Sequence, residues 1–137
     1  MIVRQLRPGD EQVVERLADE APPARAAELL ADERTIFVAA FEDEEPEPIG
    51  FVLAYELLRR HGDPSRLFVY EVGVAPDARR RGVATELMHE LARIARARGI
   101  PGGFVLTNER NEPAMTLYRS LGGVRPNPDD VLFDFDY

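Results

Sequence analysis

The stretch VAPDARRRGVAT, residues 74–85, decides the fold because it joins the end of an apolar run to the start of an amphipathic helix. The apolar run is Leu67–Val74, which we interpret as a strand buried on both faces. The helix is predicted at Ala84–Ala97, where apolar residues recur every three or four positions, and Gly99 terminates it. A strand, a basic turn and a helix that opens at a glycine therefore follow one another directly.

This turn has the chemistry of an anion site. The first N–H groups of a helix have no intrahelical acceptor and carry partial positive charge, which suits a phosphate or pyrophosphate. Gly82 and the small Ala84 allow an anion to approach the backbone, and three consecutive arginines, Arg79 to Arg81, add positive charge. An ordinary strand–turn–helix with solvated arginines is the alternative interpretation. The lysine and hydroxyl of a nucleotide-binding P-loop and the G-x-G-x-x-G dinucleotide fingerprint are both absent.

The remaining elements predict one α+β domain, residues 1–137, in which strands are first clustered and then alternate with helices. Asp10 is the predicted N-cap of a first helix that contains Val13, Val14 and Leu17. We predict further strands at Ile2–Leu6, Thr35–Phe41, Ile49–Leu57, Phe104–Thr107 and Val131–Phe135, and further helices at Ala24–Ala31 and Glu112–Leu121.

Composition narrows the possible functions. The chain has no cysteine, which excludes disulfides and a thiol nucleophile, and its two histidines, His61 and His89, are far apart, so no metal site is expected. A net charge of −8 disfavours nucleic acid and anionic membranes and favours a cationic partner, although acidic charge also serves solubility alone. No apolar run could span a membrane and the N-terminus lacks a signal-peptide core, so we expect a cytoplasmic protein.

Glu71 is anomalous because it interrupts the apolar strand with a carboxylate. Burial of an unpaired charge is costly, so we expect a partner. Glu71 could bind a substrate ammonium, or accept its proton with a pKa raised by burial. A structural ion pair with an arginine is the alternative. Gly73, two residues later, could mark a β-bulge.

Two motifs resemble the GNAT superfamily of acetyl-CoA-dependent N-acetyltransferases. Arg79-x-x-Gly82-x-Ala84 is similar to the family's Gln/Arg-x-x-Gly-x-Gly/Ala motif, and NEPAMTLYRSLG, residues 111–122, is similar to its Asn-x-x-Ala-x-x-Leu-Tyr-x-x-x-Gly pattern. The resemblance implies a GNAT fold, with a mixed central sheet of about six to seven strands that is splayed at the coenzyme site and has helices on both faces.

The same resemblance implies which residues contact the coenzyme. Tyr118 would face the thioester sulfur and protonate the departing thiolate, a transfer of modest cost for a phenol. A half-buried core tyrosine is the alternative interpretation. Backbone near Val72 to Val74 would pair with the pantetheine arm and polarise the thioester carbonyl. The implied coenzyme-binding residues are Val72, Val74, Arg79, Arg80, Arg81, Gly82, Val83, Ala84, Thr85, Asn111, Ala114 and Tyr118.

A closer resemblance, from residue 36 onward, is to the type I aminoglycoside 3-N-acetyltransferases. It rests on residues 51–56, 69–74, 80–85, the 111–118 segment and residues 131–136. The chain departs from that group at Glu71, where aspartate is typical, and at Arg81, where glutamine is common. The resemblance implies direct attack by the 3-amino group of an aminoglycoside on acetyl-CoA in a ternary complex.

A small cationic acceptor of this kind needs carboxylates around it. Candidates for substrate binding are Glu56, Glu71, Asp129, Asp130, Asp134 and Asp136. The last two alternate with phenylalanines, which is also the ordinary pattern of a strand with one wet face. Another small amine, a polyamine or a protein amine is an alternative acceptor, and a catalytically silent coenzyme-A-binding module is an alternative of another class. The resemblance also implies a homodimer, for which Val131 to Tyr137 could extend a partner's sheet.

Overall fold

The computed structural model describes residues 1–17, 22–44, 46–62 and 64–137. The chain divides into two compact units, Met1–Leu106 and Thr107–Tyr137, and each is described by itself. The prediction of one domain stays a prediction. No helix within the described ranges is long and apolar enough to cross a membrane.

The first unit is built on a five-stranded mixed sheet. Neighbouring strands run antiparallel in the order β1-β2-β3-β4, and β5 joins β4 in parallel, which confirms the predicted mixed sheet. Its elements are β1 Ile2–Gln5, α1 Glu11–Leu17, α2 Pro23–Ala31, β2 Thr35–Phe41, β3 Pro48–Leu57, β4 Arg66–Val74, a 3-10 turn Pro76–Ala78, α3 Val83–Ala97 and β5 Gly103–Val105.

Helices cover both faces of this sheet, as predicted. Alternate residues of β2 point to opposite sides, so Ile36 and Val38 pack with Leu87 and Leu91 of α3 in one core. The second core lies on the other face and joins the strands to α1 and α2; its buried members are Leu6, Val14, Ala26, Phe37, Ala39, Phe41 and Leu53. α3 therefore covers one face of the sheet, and α1 and α2 cover the other face.

Two local expectations were wrong. All seven residues of β2 are buried, whereas Tyr70 and Glu71 of β4 are exposed, so the strand buried on both faces is β2 and not Leu67–Val74. Asp10 precedes α1 as expected, but its carboxylate accepts hydrogen bonds from the Arg7 N–H and the Arg4 guanidinium, so it closes the turn before the helix instead of capping it.

A β-bulge interrupts the pairing of β3 with β4. Leu53 pairs with Glu71 and the next residue, Ala54, pairs with Val69, so Tyr70 has no partner on β3. The expected bulge at Gly73 was wrong, because Gly73 pairs regularly with Phe51. Its lack of a side chain has another cause: a Cβ there would lie 2.6 Å from the Phe51 ring.

The parallel pairing of β4 with β5 is short. It joins Leu67, Phe68 and Val69 to Gly103, Phe104 and Val105, whereas β4 continues to Val74. In the described part of the chain, the β5 side of β4 therefore has no ladder partner from Tyr70 onward. This open edge is the expected splay of the sheet.

The second unit contains one helix, α4, at Glu112–Ser120. The side-chain oxygen of Asn111 caps it by accepting the Ala114 N–H at 3.2 Å. The strand expected at Val131–Phe135 is not formed, and residues 131–137 are irregular in the structure. Alternation of apolar and charged residues gives a segment two faces, but a strand also needs a backbone partner for its ladder.

Candidate active site

The turn after β4 leads into α3 through an uncapped helix start. Gly82 is the N-cap residue, has a left-handed φ of 76° and has no side chain with which to cap the helix. The first intrahelical bond is donated by the Glu86 N–H to the Gly82 carbonyl at 3.0 Å. The N–H groups of Val83, Ala84 and Thr85 precede that bond and are available to an anion. A Cβ on Gly82 would meet nothing within 4 Å, so the space beside the turn is open.

The three arginines of the turn have different surroundings. Arg81 forms an ion pair with Glu42, the residue that follows β2. Arg79 donates from Nε to the Val74 carbonyl at 3.4 Å, and Arg80 adopts a left-handed φ of 62°. Neither Arg79 nor Arg80 has a carboxylate partner among the described residues. Two positive charges of the turn are therefore not neutralised by these residues.

A close backbone contact holds the helix start against the sheet. A Cβ on Gly50 of β3 would lie 3.0 Å from both the Gly73 carbonyl oxygen and Val83 Cγ1, and 3.3 Å from Leu87. The first turn of α3 can approach β3 and β4 this closely because residue 50 has no side chain. The turn before α3 is thus fixed to the strand that carries Glu71.

Glu71 owes its position to the bulge. An uninterrupted strand would place residue 71 on the face of Leu67 and Val69, which is packed against α3. Because Tyr70 is an extra residue, Glu71 instead pairs with Leu53, whose side chain belongs to the opposite core. The carboxylate is therefore on the α1 and α2 face of the sheet.

The expectation of a buried Glu71 was wrong, because the residue is exposed. It makes no ion pair with any residue that the structure describes, so the alternative of a structural pair with an arginine finds no support. Glu71 lines a groove of about 510 Å³ together with Phe68, Val69, Tyr70 and Leu106. On the neighbouring strand β3, the pKa of the Tyr55 phenol is raised, mainly by burial and then by the nearby Tyr70 and Glu71.

Glu56 has other partners. One of its carboxylate oxygens accepts from Arg98 at 3.3 Å and the other accepts from the Ser65 hydroxyl at 3.0 Å. It borders a separate cavity of about 610 Å³, whose lining includes Thr35 at the start of β2. The structure therefore does not bring Glu56 together with Glu71, and its contacts favour a structural role.

The second unit carries the remaining predicted residues. Burial raises the pKa of the Tyr118 phenol above its usual value of 10.0, so this group keeps its proton at neutral pH. Asn111 and Ala114 meet in the N-terminal cap of α4. Asp129 and Asp130 lie in a turn whose backbone N–H groups donate to Asn127. Asp134 and Asp136 lie in the irregular segment 131–137.

Three residues near this site were missed by the sequence analysis. Glu42 forms the ion pair with Arg81, Gly50 admits α3, and Tyr70 is the bulged residue. The sequence carries no signal for the bulge at Tyr70, because its position depends on how β4 pairs with β3.

Comparison with known proteins identifies the family. A model of the acetyltransferase (GNAT) family matches residues 3–122. The mycothiol acetyltransferase of Pseudarthrobacter chlorophenolicus is 29% identical over 140 residues, which covers 93% of this chain and 43% of that protein. The mycothiol acetyltransferase of Thermomonospora curvata is 35% identical over 106 residues, which covers 74% and 32%. The chain thus spans less than half the length of these curated relatives.

Solved structures agree with this result. An aminoglycoside acetyltransferase from an uncultured soil metagenomic sample is 31% identical, with a TM-score of 0.84 and coverage of 99% of this chain and 97% of that one. Aminoglycoside N-acetyltransferase AAC(6')-Iy in complex with CoA shares the fold at 21% identity, with a TM-score of 0.77 and coverage of 99% of each chain. The chain belongs to the GNAT acetyltransferase family, whose acetyl donor is acetyl-CoA.

The exposed, unpaired position of Glu71 makes a prediction about stability. Glu71→Gln should change the free energy of unfolding by less than about 0.5 kcal/mol, as is usual for a surface site. Glu56→Gln is the matched control and should cost about 1 kcal/mol, because it weakens contacts with both Arg98 and Ser65. Urea unfolding of both variants measures this. An equal loss in the two would make Glu71 a structural residue.

Proposed function

We propose that this chain transfers the acetyl group of acetyl-CoA to a primary amine by direct attack in a ternary complex. One observation carries the proposal. β4 ends at Val74 and leads into the turn before α3, whose N–H groups suit a pyrophosphate. Glu71, with its exposed carboxylate, lies three residues before Val74, about 10 Å back along the strand. An anionic donor and a cationic acceptor could thus meet along one strand.

The residues present fit the donor. Acetyl-CoA supplies an activated acetyl group on a thioester and carries its negative charge on phosphates. The N–H groups of Val83, Ala84 and Thr85 would hold the pyrophosphate, with Arg79 and Arg80 contributing charge. The unpaired β5 side of β4 leaves backbone groups near Val72 and Val74 for the rest of the donor. A backbone N–H there would polarise the thioester carbonyl. Asn111 and Ala114 belong to the second motif, whose resemblance implies a further coenzyme contact.

Two side chains would move the protons. An amine must be neutral to attack, and Glu71 would hold the incoming ammonium and accept its proton directly or through water. The departing thiolate would take a proton from Tyr118, whose raised pKa keeps the phenol protonated. The role of Tyr118 is proposed from the second motif, and the role of Glu71 is proposed from its carboxylate on β4, exposed and without an ion-pair partner among the described residues.

The first candidate acceptor is the 3-amino group of an aminoglycoside. A relative from soil that is 31% identical over nearly its whole chain is an aminoglycoside acetyltransferase, and a net charge of −8 suits a polycation. The acceptor of the mycothiol acetyltransferases is a second candidate, because relatives of that name match 74–93% of the chain. Asp129, Asp130, Asp134 and Asp136 are further carboxylates for a polycationic acceptor.

Release of free coenzyme A in the presence of an acceptor panel tests the function. We expect turnover with aminoglycosides and a low rate with peptides. Glu71→Gln should lower kcat/KM for the acceptor by at least about 10²-fold through loss of the proton acceptor, with acetyl-CoA affinity unchanged. Binding of acetyl-CoA without turnover on any amine would instead indicate a silent binding module.

The donor site is tested at Gly82. Gly82→Asp should weaken acetyl-CoA binding by more than about tenfold, because it places a negative charge beside the pyrophosphate. Gly82→Ala is the control. It shares the strain of a side chain at a φ of 76° but adds no charge, and it has open space around it. Calorimetry on both folded variants measures the difference. Equal affinities for the two variants would contradict the assignment.

The proton donor is tested at Tyr118. Tyr118→Phe should fold and bind acetyl-CoA but lose about 10²–10⁴-fold in kcat. In the wild type, kcat should fall as pH rises through the raised pKa of the phenol, and this alkaline decline should be absent from the variant. Steady-state kinetics between neutral and alkaline pH measures both effects. A wild-type kcat in the variant would leave solvent as the proton source.

A further inference from the structure

Four aromatic rings form a row beside Glu71. Tyr55, Phe68 and Phe104 are register partners on the adjacent strands β3, β4 and β5, so their side chains share one face of the sheet. Phe68 and Phe104 are stacked with centroids 4.8 Å apart. Tyr70, the bulged residue, joins the row through edge-to-face contacts with Tyr55 at 5.6 Å and Phe68 at 5.7 Å. The row is therefore on the same face as Glu71.

Tyr70 is the ring of this row that is most open to a ligand. Its relative exposure is 56%, whereas Phe104 is 39% exposed and has the Arg66 guanidinium 5.4 Å above its ring. Two edge-to-face contacts hold the Tyr70 ring, so little further conformational freedom would be lost on binding. Glu71 is the next residue, and the bulge directs both side chains to the groove of about 510 Å³.

We propose that Tyr70 is a specificity-determining residue that packs against a ring of the acceptor, while the ammonium of the same acceptor reaches Glu71. The inference rests on the proposed function and names its acceptor class: a cyclic cationic amine, such as an amino sugar, and not a linear amine. Glu71 would attract the ammonium of a cyclic or a linear amine, so the Tyr70 ring supplies the discrimination between them. The rigid apolar face of a sugar ring makes dispersion contacts with the Tyr70 ring without losing conformational freedom, whereas a flexible linear chain loses freedom when it is ordered on the ring.

The test compares a cyclic and a linear polycation on the same variants. Tyr70→Ala should raise KM for neamine by about tenfold and change KM for spermidine and for acetyl-CoA by less than about twofold. Tyr70→Phe keeps the ring and should behave as the wild type. Leu58→Ala, at a site that is 63% exposed and outside the row, is the control for loss of an exposed apolar side chain. Thermal melting of each variant verifies folding.

Several outcomes would overturn the proposal. An unchanged neamine KM in Tyr70→Ala, an equal loss for neamine and spermidine, or a Tyr70→Phe variant as poor as Tyr70→Ala would each remove the ring from acceptor selection. A Tyr70→Ala variant that does not fold is replaced by Tyr70→Leu, which retains apolar bulk without a ring, and the same comparison then decides.

Binding measurements separate this inference from the proposed function. If no amine is acetylated, calorimetric titration of neamine and spermidine into the wild type and Tyr70→Ala still decides it. Neamine binding that is about tenfold weaker in the variant, with spermidine unaffected, would support the Tyr70 site even though the catalytic proposal had failed. Equal neamine affinity in both proteins, or no neamine binding to the wild type, would reject the site.

Discussion

The extra residue in β4 sets the direction of the side chains that follow it. Before the bulge, Leu67 and Val69 face α3; after it, Val72 faces α3 and Glu71 faces away. Without the extra residue, a carboxylate would enter the core beneath α3, where a charge without a partner is costly. The β3–β4 ladder resumes after the bulge, from the pair Leu53–Glu71 to the pair Gly50–Val74, whereas β5 stops pairing at Val69. One inserted residue thus accounts for the exposed carboxylate, which lies in the part of β4 that has no partner on its β5 side.

A second constraint fixes the far end of the same strand. The contact of Gly50 with the Gly73 carbonyl and Val83 leaves no room for a side chain, so the start of α3 and the end of β4 are held together. Leu87 and Leu91 continue that packing into a fully buried core. Because the start of α3 packs against Gly50 and the end of β4, its distance from Glu71 is fixed by packing on the sheet as well as by the turn that joins β4 to α3. Sites on regular elements are held more accurately than sites on loops.

Most of the first unit could be predicted from local pattern, and the exceptions have physical causes. The boundaries of β2 and α3 follow from periodicity and from Gly82 and Gly99, which need no distant information. The face on which Glu71 lies could not be predicted, because a bulge depends on how two strands pair and leaves no mark in either strand alone. At residues 131–137 a strand was predicted that the structure does not form. Apolar and charged residues alternate there, but the alternation does not show which strand would pair with the segment. The motifs predicted the turn at residues 79–85 as a candidate anion site. They could not predict the ion pair of Arg81, because its partner Glu42 lies about 40 positions earlier in the chain.

Arg80 has a consequence for the evolution of this turn. A non-glycine residue with a φ of 62° costs roughly 1 kcal/mol, and glycine at that position would remove the cost. The same replacement would delete a cation and make the turn more flexible, because glycine has more backbone freedom than arginine. Under the proposed function, arginine at position 80 is therefore a trade-off between stability and function, in which a strained backbone holds a positive charge beside the donor. Directed evolution for thermostability alone would be expected to discard it.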